Sequence, residues 1–461
     1  MKNITTTSPN QHDSVTIVGV GITSIMVALA LFDLGYQISL YSKGPDPRLD
    51  RDAEQYGATG NGRSARFITG LEGKPHLFEG AVISDSANEL HTQFTEGGWL
   101  TKAVSEYPED DQEWLKNRYS VSNVAEHIES LYNNYYVKFG HESIKNWIDM
   151  SQSKPFLFEN TDITDHEQGV LVLCNSNSLL EATIEAYKKH GFLKQVLTGE
   201  EVVELAPVYE NTYHDGNIAG GLLVDGFAFN IHSFIENSIN YLEEQGIQFI
   251  WNEEILGIEV DESNRVLGLQ TQNKGLIESD HYSVNPGAYG NDLLANTPAK
   301  GKICGVAGRW LIIPRPDGFT IPTKILTDSR VGPSIGDNNL TPFMDDGRAM
   351  LAVSGGSVFV GSNSHNLPSP DICKMIDIEN ERILQLYLTS HYNALKEKDE
   401  VKAWTNTCLR SFTHDDQPVH EVMETSRGGS LSITAGTNTG TTALAPYLAH
   451  WTTQALTKKG N

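Results

Sequence analysis

The stretch "SVTIVGVGITSIMVALALFDLGYQISLYSKG", residues 14–44, decides how the chain begins to fold. Val15 to Val18 is a short apolar run of β-branched character and reads as a buried strand. Ile25, Ala28, Leu29 and Phe32 then recur at helical spacing, Gly35 suits the C-terminal cap, and Gln37 to Tyr41 returns as a strand. Between the first strand and the helix stands Gly19-Val-Gly21-Ile-Thr-Ser24, a GxGxx[GSA] pattern in the setting where it means dinucleotide binding. The two glycines permit a tight turn and close backbone approach. Ser24 is small enough for the helix to pack near the strand, and the helix N-terminus offers free N–H groups to a pyrophosphate. The acidic residue that usually ends the second strand and holds a ribose hydroxyl is missing. Ser42 occupies that place, with Lys43 after it, so ribose anchoring is expected to pass to Ser42 or to a nearby group such as Asp46.

Outward from this unit, composition bounds the rest. A chain of 461 residues, 39% hydrophobic and 20% charged, is too long for one ordinary core and predicts two or three domains, as in a large enzyme. Its 59 acidic against 34 basic residues, net −25, exclude the concentrated positive face that nucleic acid requires. The acidic excess reads first as a solvated surface that keeps the protein soluble, and only second as steering of cationic substrates. The polar start "MKNITTTSPNQHDS" and the lack of any apolar run near the roughly 18 residues of a spanning helix predict no membrane contact and a cytoplasmic location. Cys174, Cys304, Cys373 and Cys408 are far apart and lack ligand spacing, so neither a disulfide framework nor a metal site is expected.

Further motifs are spread along the chain. "YGATGNGRSARFITG" (56–70) supplies Asn61, Gly62, Arg63 and Ser64, small or donor-rich groups suited to wrapping phosphates or a flavin ring. "FNIHSFIENSINYLEEQGIQFIWNEEILGIEV" (229–260) reads as helix, Gly246 cap, strand, turn and strand. "NPGAYGNDLL" (285–294) puts Gly287 after a strand, and "AMLAVSGGSVFVGSN" (349–363) predicts a hairpin about its Gly-Gly pair. "AGTNTGTTALAP" (435–446) sets a helix N-terminus behind Gly436, Asn438, Thr439, Gly440 and Thr441. A helix start aimed at a flavin pyrimidine edge would stabilise the negative charge gained on reduction. A nicotinamide enzyme commonly keeps one continuous nucleotide domain, whereas a flavoprotein often returns to its dinucleotide with such distant segments.

These pieces, with "WTNTCLRSFTHDDQP" (404–418), occur in an order that resembles the D-amino-acid oxidase-like FAD-dependent oxidoreductases, which include glycine oxidase and sarcosine oxidase. The resemblance spans nearly the whole chain. It implies an α/β fold in which a Rossmann-like FAD domain, from about 1–80, 226–298 and 406–461, is interleaved with a mixed-sheet substrate domain from 81–225 and 299–405. It also implies FAD as cofactor, with a second contact at Ile255. A helical insertion at about 90–160 would serve as a lid or substrate-selecting wall, as a structural buttress, or as a docking surface for a protein partner.

On a strand, Cys408 and Arg410 would face the same way. The resemblance gives Arg410 a fork onto a substrate carboxylate, the alternative being a structural ion pair. It gives Cys408 a bond to the flavin 8-methyl carbon, the alternative being a small buried cysteine. His414 and Asp415 read as turn residues, and Lys302 and Arg309 are candidates for a positive group that assists oxygen. Thr439, Gly440 and Thr441 replace the family's Gly-His-Gly, and Ser411 replaces its proline. The implied reaction is oxidation of the C–N bond of an amine or amino acid by hydride transfer to the flavin, with imine hydrolysis. A dehydrogenase using another acceptor, and a flavoprotein acting on a protein partner, are the alternatives.

Overall fold

The computed structural model describes residues 13–50, 67–71, 93, 98–121, 126–328, 338–345, 347–362, 369–415 and 417–457. Asn61, Gly62, Arg63 and Ser64 fall outside them. The opening unit folds as its pattern dictates: β1 (Ser14–Val18), a helix over Ile22–Asp33, and β2 (Gln37–Tyr41). Gly35 takes φ 84° just past the helix, a left-handed turn that glycine makes without steric cost. β3 (Phe67–Thr69) follows, then β4 (Val170–Cys174), β5 (Leu193–Thr198), β6 (Gly220–Val224) and β7 (Gly226–Ala228). Beyond the Ile231–Glu244 helix come β8 (Gln248–Ile250), β9 (Ile255–Val260), β10 (Val266–Thr271), β11 (Gly275–Ile277) and β12 (His281–Val284). The last third holds β13 (Ile303–Pro314), β14 (Thr323–Leu326), β15 (Asn338–Asp345), β16 (Arg348–Gly361), β17 (Lys402–Thr413), β18 (Val419–Glu424) and β19 (Ser430–Ala435), closed by a helix over Thr441–Thr457.

Two large sheets organise these strands. The first runs β18-β19-β12-β1-β2-β8, parallel from β19 to β8, and β12 is buried along its whole length, as a strand covered on both faces must be. Helices Ile22–Asp33, Ile231–Glu244 and Thr441–Thr457 supply Ile25, Phe234 and Ala445 to the core on one side of it. The second runs β17-β13-β16-β15-β14-β4-β6-β5 and is mostly antiparallel. One face packs on the Pro370–Tyr387 helix through Ile383, Leu384 and Tyr387 against Leu311, Leu351 and Val353.

The expected hairpin at 349–363 does not form. Both apolar runs belong to the single strand β16, which pairs with β13 on either side of the Gly-Gly. A two-residue hairpin loop of the Asn-Gly type needs left-handed backbone at both positions, and only Gly356 (φ 71°) has it. The pair makes a β-bulge instead.

The acidic, aromatic region divides by what it covers. The Glu109–Val121 helix lies over the β13–β17 end of the larger sheet, where Trp114 and Leu115 pack with Cys304, Val306, Phe359 and Phe412. The Glu126–Ser153 helix packs on the helices that cover the smaller, mostly parallel sheet, with Trp147 fully buried among Phe158, Phe229 and Phe234. Pro446 has no N–H, so the carbonyl of Thr442 lacks its helical donor, and the Trp147 indole N–H donates to it at 3.1 Å. No helix among the described residues is long and apolar enough to cross a membrane.

Candidate active site

Register alone brings the glycine turns together. Val18 lies beside Tyr41 and beside Val284, and Val284 lies beside Ile433, so the chain leaves β1, β2, β12 and β19 along one carboxyl edge. The strand order reverses at β1, between β2 and β12, which is where a ligand crevice opens in a sheet of this kind. Gly19 (φ 90°) donates its N–H to the Tyr41 carbonyl at 2.8 Å, and a Cβ placed on it would lie 2.8 Å from the Asn285 carbonyl oxygen. Asn285 in turn donates to the Val18 carbonyl at 3.1 Å, two residues before Gly287 (φ 59°). Around Gly21, a Cβ would meet nothing within 4 Å. The helix that starts there has no side-chain cap and no acidic residue in its first turn, leaving its N–H groups and positive dipole end unopposed. Ser24 is buried with its hydroxyl 3.4 Å from the Val18 carbonyl, where a larger side chain would push helix from strand.

At the ribose position the two candidates separate. Ser42 is buried at the end of β2, and its oxygen accepts the Gly44 N–H at 3.2 Å, which leaves the hydroxyl proton to donate. Asp46 is spent: burial opposes its ionisation, but Arg48 donates to both its oxygens, at 2.9 Å from Nε and 2.6 Å from Nη2, and holds it below the usual carboxylate range. Ile255 begins β9 and is buried with Val18 and Val284, the last residues of their strands.

The closing loop reaches across to the other sheet. Gly436 donates its N–H to the Ser411 hydroxyl at 3.1 Å, Asn438 donates its N–H to the Ser411 carbonyl at 2.8 Å, and Thr413 donates its N–H to the Asn438 side-chain oxygen at 3.3 Å. Gly436 (φ 66°) and Asn438 (φ 52°) are both left-handed, the shape that folds the loop back onto β17. Thr437 and Thr441 share a hydroxyl–hydroxyl hydrogen bond at the helix start, and Gly440 donates to the Thr437 carbonyl at 2.9 Å. Thr439 is exposed at the tip of this loop.

β17 is thus the seam, and on it lie Cys408 and Arg410. β17 pairs with β13, Cys408 opposite Gly308 and Arg410 opposite Val306, so both side chains point to the face away from the Pro370–Tyr387 helix. Arg410 is half-buried over Gly308, where a Cβ would come 2.3 Å from Nη2, and its guanidinium stands 5.9 Å from the Trp310 ring centre. Its Nη1 donates to the Ser357 hydroxyl at 2.8 Å. Among the described residues no carboxylate pairs with it. Burial pushes Arg410 below the ordinary guanidinium range, yet an arginine stays charged at any physiological pH. The half-buried Cys408 thiol is pushed up by burial and drawn down in part by Arg410.

The two cations proposed to assist oxygen are already neutralised. Lys302 pairs with Glu421 at 2.5 Å, and Arg309 forks onto Asp377 at 2.9 and 3.0 Å on the opposite face of the sheet. His414 and Asp415 form a turn, Asp415 accepting the Gln417 N–H at 3.1 Å. Sequence reasoning missed Asn285, Gly308, Trp310 and Ser357 as site residues. Only Ser411 gave a signal, as a departure from the family pattern. No His, Cys, Asp and Glu cluster able to hold a metal occurs among the described residues.

Residues 14–455 match the family described as DAO, FAD dependent oxidoreductase. The chain belongs to this family of FAD-dependent oxidoreductases. FAD is the cofactor the family binds, and the open Gly21 turn, the uncapped helix start and the Gly19–Asn285 approach fit a dinucleotide at the carboxyl edge. Glycine oxidase from Geobacillus kaustophilus has a similar fold at 14% identity, with a TM-score of 0.63 over 98% of this chain and 96% of that one. L-proline dehydrogenase from P. horikoshii (15%, TM-score 0.59, 97% and 95% covered) is also similar. So is an L-α-glycerophosphate oxidase from Mycoplasma pneumoniae solved with FAD bound (13%, TM-score 0.61, 97% and 95% covered). No curated protein matches the chain by direct sequence comparison.

Proposed function

We propose that this DAO-family enzyme oxidises the C–N bond of a small amine that carries a carboxylate, such as an amino acid. The observation that carries the reading is Arg410: a half-buried guanidinium without a carboxylate partner among the described residues, one residue from the serine that clasps the closing loop. A cation so placed suits a bound carboxylate better than a structural ion pair. When bound, FAD supplies the acceptor for a hydride from the substrate α-carbon. Gly19, Gly21 and Ser24 would hold its pyrophosphate, Ser42 its ribose, and Ile255, Gly287, Gly436, Asn438, Thr439, Gly440 and Thr441 would frame it, with Asn61, Gly62, Arg63 and Ser64 wrapping from outside the described residues. Arg410 fixes the substrate so that its α-carbon presents one face, and the dry flank of Trp310 and Cys408 favours the neutral amine. The substrate loses a hydride and a proton to become an imine, which water hydrolyses.

In this reading the FAD layer draws on 1–80, 226–298 and 406–461, the substrate layer on 81–225 and 299–405, and β17 joins them. Cys408 would tether the flavin, and the location is cytoplasmic. Similar folds carry the names of an oxidase and of a dehydrogenase, so fold likeness does not choose the acceptor. A screen of amino acids and amines for anaerobic bleaching of the bound flavin tests the reaction, with peroxide measured on admission of air. Bleaching by carboxylate-bearing amines is expected, and a flavin that none of them reduces overturns the reading. Acid precipitation of the same preparation should carry the yellow colour into the pellet, and in Cys408→Ala into the supernatant. Colour free in both sinks the tether alone.

A further inference from the structure

Along β16 the side chains change phase at the Gly355-Gly356 bulge. Arg309 pairs with Gly355 and Ala307 with Val358, so two residues of β16, Gly356 and Ser357, oppose the single residue Gly308. A Cβ on Gly355 would meet Asn338 and Asn380, and one on Gly356 would meet Ile376 of the Pro370–Tyr387 helix. Two successive positions therefore face that helix. Without the extra residue, strict alternation from Ser354 would turn Ser357 toward the helix as well. With it, Ser357 emerges on the opposite face and accepts a hydrogen bond from Arg410 Nη1 at 2.8 Å. Gly308 lies between them as the floor, lacking the side chain that would displace the guanidinium. The bulge thus re-aims one side chain at one place, the use such irregularities commonly serve beside active sites.

Ser357 uses its oxygen lone pair on Arg410, and its own proton has no acceptor among the described residues. We propose that Ser357 is a positioning and specificity residue of the carboxylate site: it fixes the plane of the Arg410 guanidinium and donates its hydroxyl proton to the bound carboxylate. This rests on the reading of Arg410 given above. The pair would present two kinds of donor, a charged fork and a neutral hydroxyl, on neighbouring strands whose spacing the sheet fixes. A ligand with a planar carboxylate meets both. A neutral amide of the same shape cannot replace the charge.

The test uses the FAD-loaded enzyme and benzoate as probe, with benzamide as the neutral control, and reads the dissociation constant by calorimetry. Ser357→Ala should weaken benzoate about 10-fold, as expected for a lost hydrogen bond to a charged group. Ser357→Thr, which keeps the hydroxyl, should restore most of it, and benzamide should respond to neither change. Flavin absorbance and melting temperature monitor the fold. Benzoate binding as tight in Ser357→Ala as in wild type, while Arg410→Ala weakens it, overturns the role of Ser357 alone. Wild-type binding in both variants overturns the carboxylate reading on which it rests.

Discussion

Arg410 separates a ligand-binding role from a structural one by what its removal leaves behind. A buried salt-bridge partner leaves an uncompensated charge when it is cut away. Arg410 has no carboxylate partner among the described residues, so Arg410→Ala orphans none there, and its melting temperature should stay near wild type. The Michaelis constant for a carboxylate substrate should rise about 10²-fold, the loss of a charge-assisted pair worth roughly 2–3 kcal/mol. Arg410→Lys should recover only part of it, because an ammonium cannot fork. A large fall in melting temperature with an unchanged Michaelis constant would return the residue to a structural role. Cys408 is less eloquent. Burial holds its thiol up, which disfavours the thiolate, and Arg410 works the other way.

At the scale of elements, Gly21 and Gly436 make opposite predictions. Gly21 has φ −72° and open space around it, so Gly21→Ala should leave the apoprotein's stability alone and weaken FAD if the pyrophosphate approaches that turn. Gly436 has φ 66°, and a Cβ there would lie 2.2 Å from Thr413 Cγ2. Gly436→Ala should therefore cost about 1–3 kcal/mol even without FAD, because the loop must break its clasp on β17. Thermal melts of both apoproteins, with FAD titrations, check the contrast, and equal melts would remove the distinction. The same contrast explains what the sequence disclosed. The 14–44 unit was legible because its strand, turn, helix and strand are set by local spacing. The end of β2 was half legible: Ser42 directly follows the strand, but Asp46 faces an arginine two residues on, a choice of partner that spacing does not encode. The 349–363 stretch misled because apolar runs about a Gly-Gly look alike in a hairpin and in a bulged strand, and the choice is made by the distant partner β13. Ser357 and Gly308 were illegible for the same reason, since the phase of β16 is fixed only once the sheet is assembled.

Across the whole molecule, the two large sheets meet where the loop after β19 is hydrogen-bonded to β17. The region read from sequence as lid, wall, buttress or docking surface holds, among its described residues, two long helices with different coverage, and the longer of them, Glu126–Ser153, packs Trp147 against the helices of the smaller sheet. Trp147→Ala should cost about 3–5 kcal/mol, the loss of a fully buried aromatic. Trp147→Phe keeps most of the ring and should cost about 1–3 kcal/mol for the Thr442 carbonyl left without its donor. Denaturant melts should rank them wild type, Phe, Ala. A lid role predicts instead unchanged melts with an altered turnover number. The proline that makes this indole necessary has a wider consequence. A chain trimmed between residues 126 and 153 to make a smaller catalyst would strip the splint from a fracture in the first turns of the last helix, more than 290 positions away. The shortened protein would then fail where the last helix begins, behind the loop that clasps β17, although no residue there had been touched.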